Sequence, residues 1–262
     1  INPRFVEAML NLADTARGEN EWMESKACEL LNDAVPTDGG WWMPRGLVED
    51  QPLGLRRRAL RALLRRFDTG SEPDFDHIES IEEMLTRGQT GARASLPHSI
   101  VVWMEKEGFW VGPEAPVVEF ENVVPVPGRV RLPSSDLCLV AHVRAGGLDS
   151  VSELSHCSTQ SERPWHPERR NVVLDWEQVA GRMRVRNWHP GDRYRPLGMH
   201  GEKKLQDMFV DEGVPQRWRR RLPVVVDDQG ILWVPGARPA DRVKVTSATR
   251  TLVALSVCKG DA

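Results

Sequence analysis

A chain of 262 residues, 40% hydrophobic and 28% charged, has the apolar material for a buried core and the length for two domains. No apolar run approaches the roughly 20 residues of a membrane span, and the opening Ile1-Asn2-Pro3-Arg4 lacks the zones of a signal peptide, so a cytoplasmic chain with no membrane partner is expected. The net charge of -3 speaks against a polyanion partner, yet residues 181–262 hold sixteen Lys plus Arg against nine Asp plus Glu, a local +7 that leaves -10 for the first 180.

In chain order, Asn2 and Pro3 suit a helix start, and Phe5, Met9, Leu12, Ala13, Ala16, Met23, Ala27, Leu30 and Leu31 recur at helical spacing. The spacing predicts one helix, or two broken near Gly18, ending before Pro36. Residues 36–44 are turn-rich and carry Trp41 and Trp42. Asp50-Gln51-Pro52 opens a second helix over 53–67, with Leu53, Leu60, Leu63, Leu64 and Phe67 as its stripe. Arg56, Arg57, Arg58, Arg61, Arg65 and Arg66 cover its other faces. These arginines read either as a solvated face bridged to Glu79, Glu82 and Glu83, or as an edge turned to RNA, because a guanidinium fork suits phosphate. A third helix over 76–87 completes a small helical domain, 1–91.

From residue 92 the pattern changes to short β-branched and aromatic runs separated by Pro and Gly. Strands are expected at 100–104, 109–111, 117–120, 129–132, 137–143, 171–175, 183–186, 223–227, 231–235 and 251–257, with a polar loop over 155–170. Short helices are expected at 204–212 and 214–222. The fold class is therefore α+β: a small helical domain followed by a mixed α+β domain over 92–262.

Little in the chain points to catalysis. Cys28, Cys138, Cys157 and Cys258 are scattered and read as free thiols, and the spaced His156, His166, His189 and His77 form no metal set, so neither a metal site nor a catalytic residue is expected. Ala145-Gly146-Gly147-Leu148-Asp149-Ser150 lies one residue from the SGGxDS loop with which ATP pyrophosphatases hold phosphates. Ala145 lacks the leading hydroxyl and no convincing helix follows, so a hairpin turn is the better reading.

The stretch from Gly191 to Met199, followed by Lys203-Lys204-Leu205-Gln206-Asp207-Met208-Phe209, carries more. In extended chain Arg193 and Arg195 share one side and Tyr194 takes the other. Lys203 and Lys204 are expected near a helix start, where two Arg and two Lys would converge on phosphate. Leu197, Leu205, Met208 and Phe209 read as core anchors. A second basic cluster, Arg217 to Arg221 around Trp218, adds Arg217 and Arg220 as candidate contacts, with Trp218 either stacking on a base or anchoring the core.

These segments, GDRYRPLGM, KKLQDMF, VPQRWRRRLPVVVDDQGILWVPG and the closing Arg242-Val243-Lys244-Val245-Thr246, resemble the C-terminal half of tRNA(Ile)-lysidine synthetase over most of 184–246. Weaker likenesses lie at Ile1-Asn2-Pro3-Arg4, across 53–64 and from Phe75 to Ile81, whereas 92–180 match loosely. The resemblance implies a helical substrate-recognition domain and a C-terminal domain of the kind found in phenylalanyl-tRNA synthetase β chains. It implies as partner a minor tRNA(Ile) with a CAU anticodon, whose wobble cytidine the family adenylylates with ATP and joins to L-lysine, changing codon reading from AUG to AUA. That chemistry, with ATP and Mg, is expected in an N-terminal domain bearing SGGxDS, so this chain is expected to hold no cofactor and to be inactive alone. Starting on Ile1, it reads as a fragment or a processed chain, and a homodimer is possible. A free-standing RNA-binding or regulatory module is the alternative reading, and a scaffold with a basic protein-binding face is a third.

Overall fold

The computed structural model describes residues 3–37, 39–67, 73–114, 116–133, 137–147 and 171–259. The expected loop at 155–170, Cys157, His156, His166 and the Leu148-Asp149-Ser150 end of the Gly-rich segment lie outside the described residues. The chain divides into two compact units, Ile1–Ala115 and Pro116–Ala262.

In the first unit, α1 (Pro3–Leu30) runs unbroken through Gly18. Its last turns bury Ala27 against the unit, while Phe5, Met9 and Leu12 near its start stay exposed. The stretch expected as turns forms a hairpin, β1 (Val35–Thr37) and β2 (Gly40–Pro44), before a short α2 (Arg45–Glu49) that the sequence did not suggest. Then come α3 (Leu53–Leu64) and α4 (Phe75–Arg87), whose N-cap is Asp74, accepting a hydrogen bond from the His77 N–H at 3.0 Å.

Strands β3 (Arg93–Ser95), β4 (Ile100–Met104) and β5 (Gly108–Pro113) pair antiparallel with one another and with β2, in the order β1-β2-β5-β4-β3. The unit boundary therefore falls after residue 115 and not after 91, because Trp41 to Pro44 pair with Val111 to Gly108 and so bind β3–β5 into the first unit's sheet. Strand alternation turns Ile100, Val102, Met104, Phe109 and Val111 to one face. There they pack with Leu60, Leu63 and Leu64 of α3 and Ile78, Ile81 and Leu85 of α4. Each such aliphatic side chain contributes roughly 1.5–3 kcal/mol when fully buried. Leu53, expected in that stripe, is exposed at the first turn of α3. On the opposite face, glycine is required at 108: a Cβ there would lie 2.6 Å from the Trp42 indole.

The second unit contains β6 (Glu121–Val123), β7 (Gly128–Arg131), β8 (Leu137–Ala145), β9 (Asn171–Asp175), β10 (Arg184–Asn187), β11 (Arg193–Tyr194), β12 (Lys203–Lys204), α5 (Leu205–Asp211), α6 (Gln216–Arg219), β13 (Pro223–Asp227), β14 (Gly230–Trp233) and β15 (Thr251–Lys259). Two four-stranded antiparallel sheets, β14-β13-β10-β6 and β7-β8-β15-β9, accompany the two-stranded ribbon β11-β12. Val185, Val224 and Val225 of the first sheet and Leu139, Leu255 and Val253 of the second belong to one core, with Leu205, Met208 and Phe209 of α5. The expected α+β class is observed.

Two local expectations are corrected and a third is extended. The strand at 117–120 is displaced to 121–123, since the Phe120 N–H donates to Asn187 Oδ1 at 2.7 Å. The helix at 214–222 shrinks to one turn, ahead of Pro223, which disfavours helix at the residue before it. Lys203 and Lys204 do stand at a helix start, Lys204 being the extended N-cap of α5 with φ -64° and ψ 136°, and they also pair as the strand β12.

Candidate nucleic-acid interface

The motif region is built outward from the end of β10. Arg186 forms a two-pronged ion pair with Asp192, at 2.8 and 2.9 Å, and Asp192 also accepts the His189 N–H at 2.9 Å. Burial pushes the Asp192 carboxyl up, but the hydrogen bonds from Arg186 and His189 outweigh it, so its pKa lies below the ordinary carboxylate value. Gly191, at φ +94°, supplies the left-handed residue that the turn requires. Next to this turn the buried Asn187 donates from Nδ2 to the Arg220 carbonyl at 3.2 Å. The GDRYR turn and the Arg-rich segment are thus tied through adjacent residues, Arg186 and Asn187.

Beyond the turn, the β11-β12 ribbon places Arg193 directly opposite Lys204 and Tyr194 opposite Lys203. Tyr194 points inward: it is 4% exposed, its hydroxyl donates to the Arg238 carbonyl at 3.1 Å, and burial pushes its pKa up. Alternation therefore turns Arg193, Arg195 and Lys204 outward, and Lys203 goes to the other face. Directly opposed like charges destabilise a strand pair. Yet Arg193 and Lys204 are both exposed, and among the described residues neither has an acidic partner.

The other two cations are already engaged. Arg195 pairs with Asp241, which also holds Lys244 at 3.3 Å, and Lys203 pairs with Asp211. The first amide of α5, Leu205 N–H, donates to the Asp192 carbonyl at 2.8 Å and so is not open to an anion.

In the second cluster Trp218 packs against the core, with the Arg217 guanidinium 5.5 Å and the Arg221 guanidinium 5.9 Å from its ring centre. It is an anchor between two cations, and base stacking on it has little support. Arg219 donates to the Val214 carbonyl at 3.1 Å, and desolvation lowers its pKa. Arg220 projects into solvent, with its carbonyl taken by Asn187. Of the six candidates, Arg193, Lys204 and Arg220 thus present cations without a local acid, while Arg195, Lys203 and Arg217 are held by neighbours. Sequence reasoning missed Asp192, Asn187 and Asp241 as the groups that set the cations in place. Lys244 stood in the closing RVKVT segment and had no partner to mark it until Asp241 was located.

The arginine helix of the first unit is arranged differently. Glu82 receives Arg56 at 2.8 Å and Arg57 at 2.7 Å, and Arg57 also covers the Phe75 ring at 4.7 Å. Glu24 of α1 receives Arg58 at 3.1 Å and Arg65 at 3.0 Å. Arg66 donates to the Leu31 carbonyl and stacks on Trp41 at 4.0 Å. The bridges expected to Glu82 and, from Arg57 at 3.8 Å, to Glu79 are present, whereas Glu83 turns to Arg87 and Glu24 was not expected.

The described part of the Gly-rich segment does not fit a nucleotide. Ala145 is paired with Thr251 in the sheet and the Gly146 N–H donates to the Arg250 carbonyl at 2.9 Å, leaving neither a hydroxyl nor that amide for a phosphate. Among the described residues no group of three or more His, Cys, Asp or Glu side chains could hold a metal, and no helix is long and apolar enough to cross a membrane.

Two domain models of one family match the chain and together cover about half of it: the TilS substrate binding domain at residues 47–106 and the TilS substrate C-terminal domain at residues 183–255. A tRNA(Ile)-lysidine synthase from Geobacter sulfurreducens is 28% identical over 98% of this chain and 52% of its own length. The chain spans about half the length of the first curated relatives it matches. A solved TILS C-terminal domain aligns at TM-score 0.43 and 23% identity, over 55% of this chain and 100% of that one. An N-terminal fragment of the phenylalanyl-tRNA synthetase beta subunit from Pyrococcus horikoshii aligns at TM-score 0.38 and 13% identity, over 72% and 64%.

Proposed function

Because the chain belongs to the tRNA(Ile)-lysidine synthetase family, we propose that it is the portion of such a ligase that grips a minor tRNA(Ile) with a CAU anticodon. The grip holds the wobble cytidine at a catalytic domain outside these 262 residues, where ATP, Mg and L-lysine are handled and lysine is attached. The modified base then reads AUA in place of AUG. The observation that carries this reading is the outward pair Arg193 and Lys204, opposed across a ribbon at a cost that an intervening phosphate removes. Arg220, whose backbone is fastened to the same turn, extends the positive surface.

Contacts of this kind position an RNA without reading its sequence. The chain therefore supplies orientation, and orientation is a large share of catalysis when two reactants must meet at a fixed site. The test is binding of a tRNA(Ile) transcript as salt is varied, for the parent chain and for Arg193→Ala/Lys204→Ala. Loss of two phosphate contacts reduces the slope of log affinity against log salt by about two. An unchanged slope would remove the assignment. The chain alone is expected to give no ATP-dependent incorporation of labelled lysine; incorporation would place the chemistry here.

A further inference from the structure

Two acids sit against the motif cations, and by charge counting they are equivalent. Their surroundings are not. Asp211 is the last residue of α5, has a side chain 61% exposed, and among the described residues engages Lys203 alone. Its negative charge stands at the helix end where the backbone dipole disfavours it. Asp241 is only 14% exposed and lies beneath two cations, Arg195 and Lys244, that are each about half exposed. Its backbone N–H donates to the Arg195 carbonyl at 2.8 Å, beside the bridge between Pro196 and Ala240 and the Leu197 N–H bond to the Pro239 carbonyl. One carboxylate thus fixes two outward cations and leaves the group with a net positive charge.

Resting on the RNA-gripping reading above, we infer that Asp241 is a positioning residue, and that Arg195 and Lys244 form with Arg193 and Lys204 one phosphate-binding row. Arg195 lies two residues beyond Arg193, on the same side of the strand by alternation. An arginine has five N–H donors, so those not given to Asp241 can meet a phosphate oxygen. Free Arg and Lys side chains each carry about 2 kcal/mol of rotamer entropy. Holding them in place before RNA arrives removes part of that cost from binding.

The sign of the effect separates positioning from simple neutralisation. Removing an acid that merely repels phosphate tightens RNA binding; removing one that orients cations weakens it. Asp241→Asn in the full chain is expected to weaken binding of the tRNA(Ile) transcript several-fold, and Asp241→Glu to restore most of the affinity. Asp211→Asn is expected to leave affinity unchanged or raise it. Lys244→Ala, which leaves Asp241 in place, is expected to reduce the salt slope by about one. Equal or tighter binding by Asp241→Asn overturns the inference, as does an unchanged slope for Lys244→Ala, which decides the matter if Asp241→Asn also lowers the melting temperature. Parent-like binding by Arg193→Ala/Lys204→Ala would instead refute the underlying RNA reading.

Discussion

The arginine helix α3 and the β11-β12 ribbon are both dense in positive charge, and they use it in opposite ways. On α3 and the turn that follows it, five of the six guanidinium groups are met by carboxylates, carbonyls or aromatic rings of their own unit, and the sixth, Arg61, is partly buried with a buried Nε. On the ribbon, Arg193 and Lys204 face each other with no local acid among the described residues. Charge density along a sequence therefore locates cations without saying whether they are committed. A cation paired inside the fold holds helices together, and one left facing its like is available to a polyanion.

The largest expected effect tests the committed side. Glu82→Ala leaves Arg56 without its carboxylate in a mostly buried site, and Arg57 with only its 3.8 Å contact to Glu79; breaking such a group costs roughly 3–5 kcal/mol. The first unit is expected to lose cooperative thermal unfolding at a much lower temperature, and an unaltered melt would mean that α3 is not braced in this way. On the uncommitted side, Arg193→Ala/Lys204→Ala is expected to cut RNA affinity about tenfold or more near physiological salt, following the loss of two released counterions. Its melting temperature should equal or exceed that of the parent, because a like-charge opposition has been removed.

A third measurement follows the acids of the second unit against pH. Asp192 and Asp227 both titrate below the ordinary value: burial raises each, but Arg186 and the His189 N–H outweigh it for Asp192, and Arg242 with the Ala180 and Gln229 N–H groups for Asp227. Folded values below the unfolded one, about 3.9, mean that their stabilisation is fully present above about pH 4 and is lost as pH falls through the folded values. Asp227→Asn should flatten the acid limb of the second unit's stability curve; an identical limb would count against the Arg242 pair as its source. The smallest effect is expected for Arg65→Ala, whose bridge to Glu24 is half exposed and is worth less than about 1 kcal/mol by chemical denaturation.

Much of the first unit's helical content was legible because α3 and α4 repeat apolar residues on one side, at Leu60, Leu63 and Leu64 and at Ile78, Ile81 and Leu85. The hairpin at Val35–Pro44 was not, since Pro36, Gly39 and Gly40 read as turn formers. Its strand character comes from pairing with β5, more than sixty residues away. For the same reason the domain boundary could not be read at residue 115: β3–β5 look like the opening of a β-rich domain until their partner β2 is known. At the candidate site, alternation did place Tyr194 inside and Arg193 outside. It could not reveal that Lys203 and Lys204 continue a ribbon, because a helix begins at the very next residue, Leu205.

The amino-acid sequence by itself determined the family, the α+β class and the identity of the cations, since these rest on residue types, local periodicity and motif spacing. Which of those cations remain available was decided only by the tertiary structure. Asp241, Asp211, Glu82 and Glu24 lie 46, 8, 26 and 34 positions from Arg195, Lys203, Arg56 and Arg58, which they engage. An ion pair depends on separation in space, and only folding converts such sequence distances into contacts.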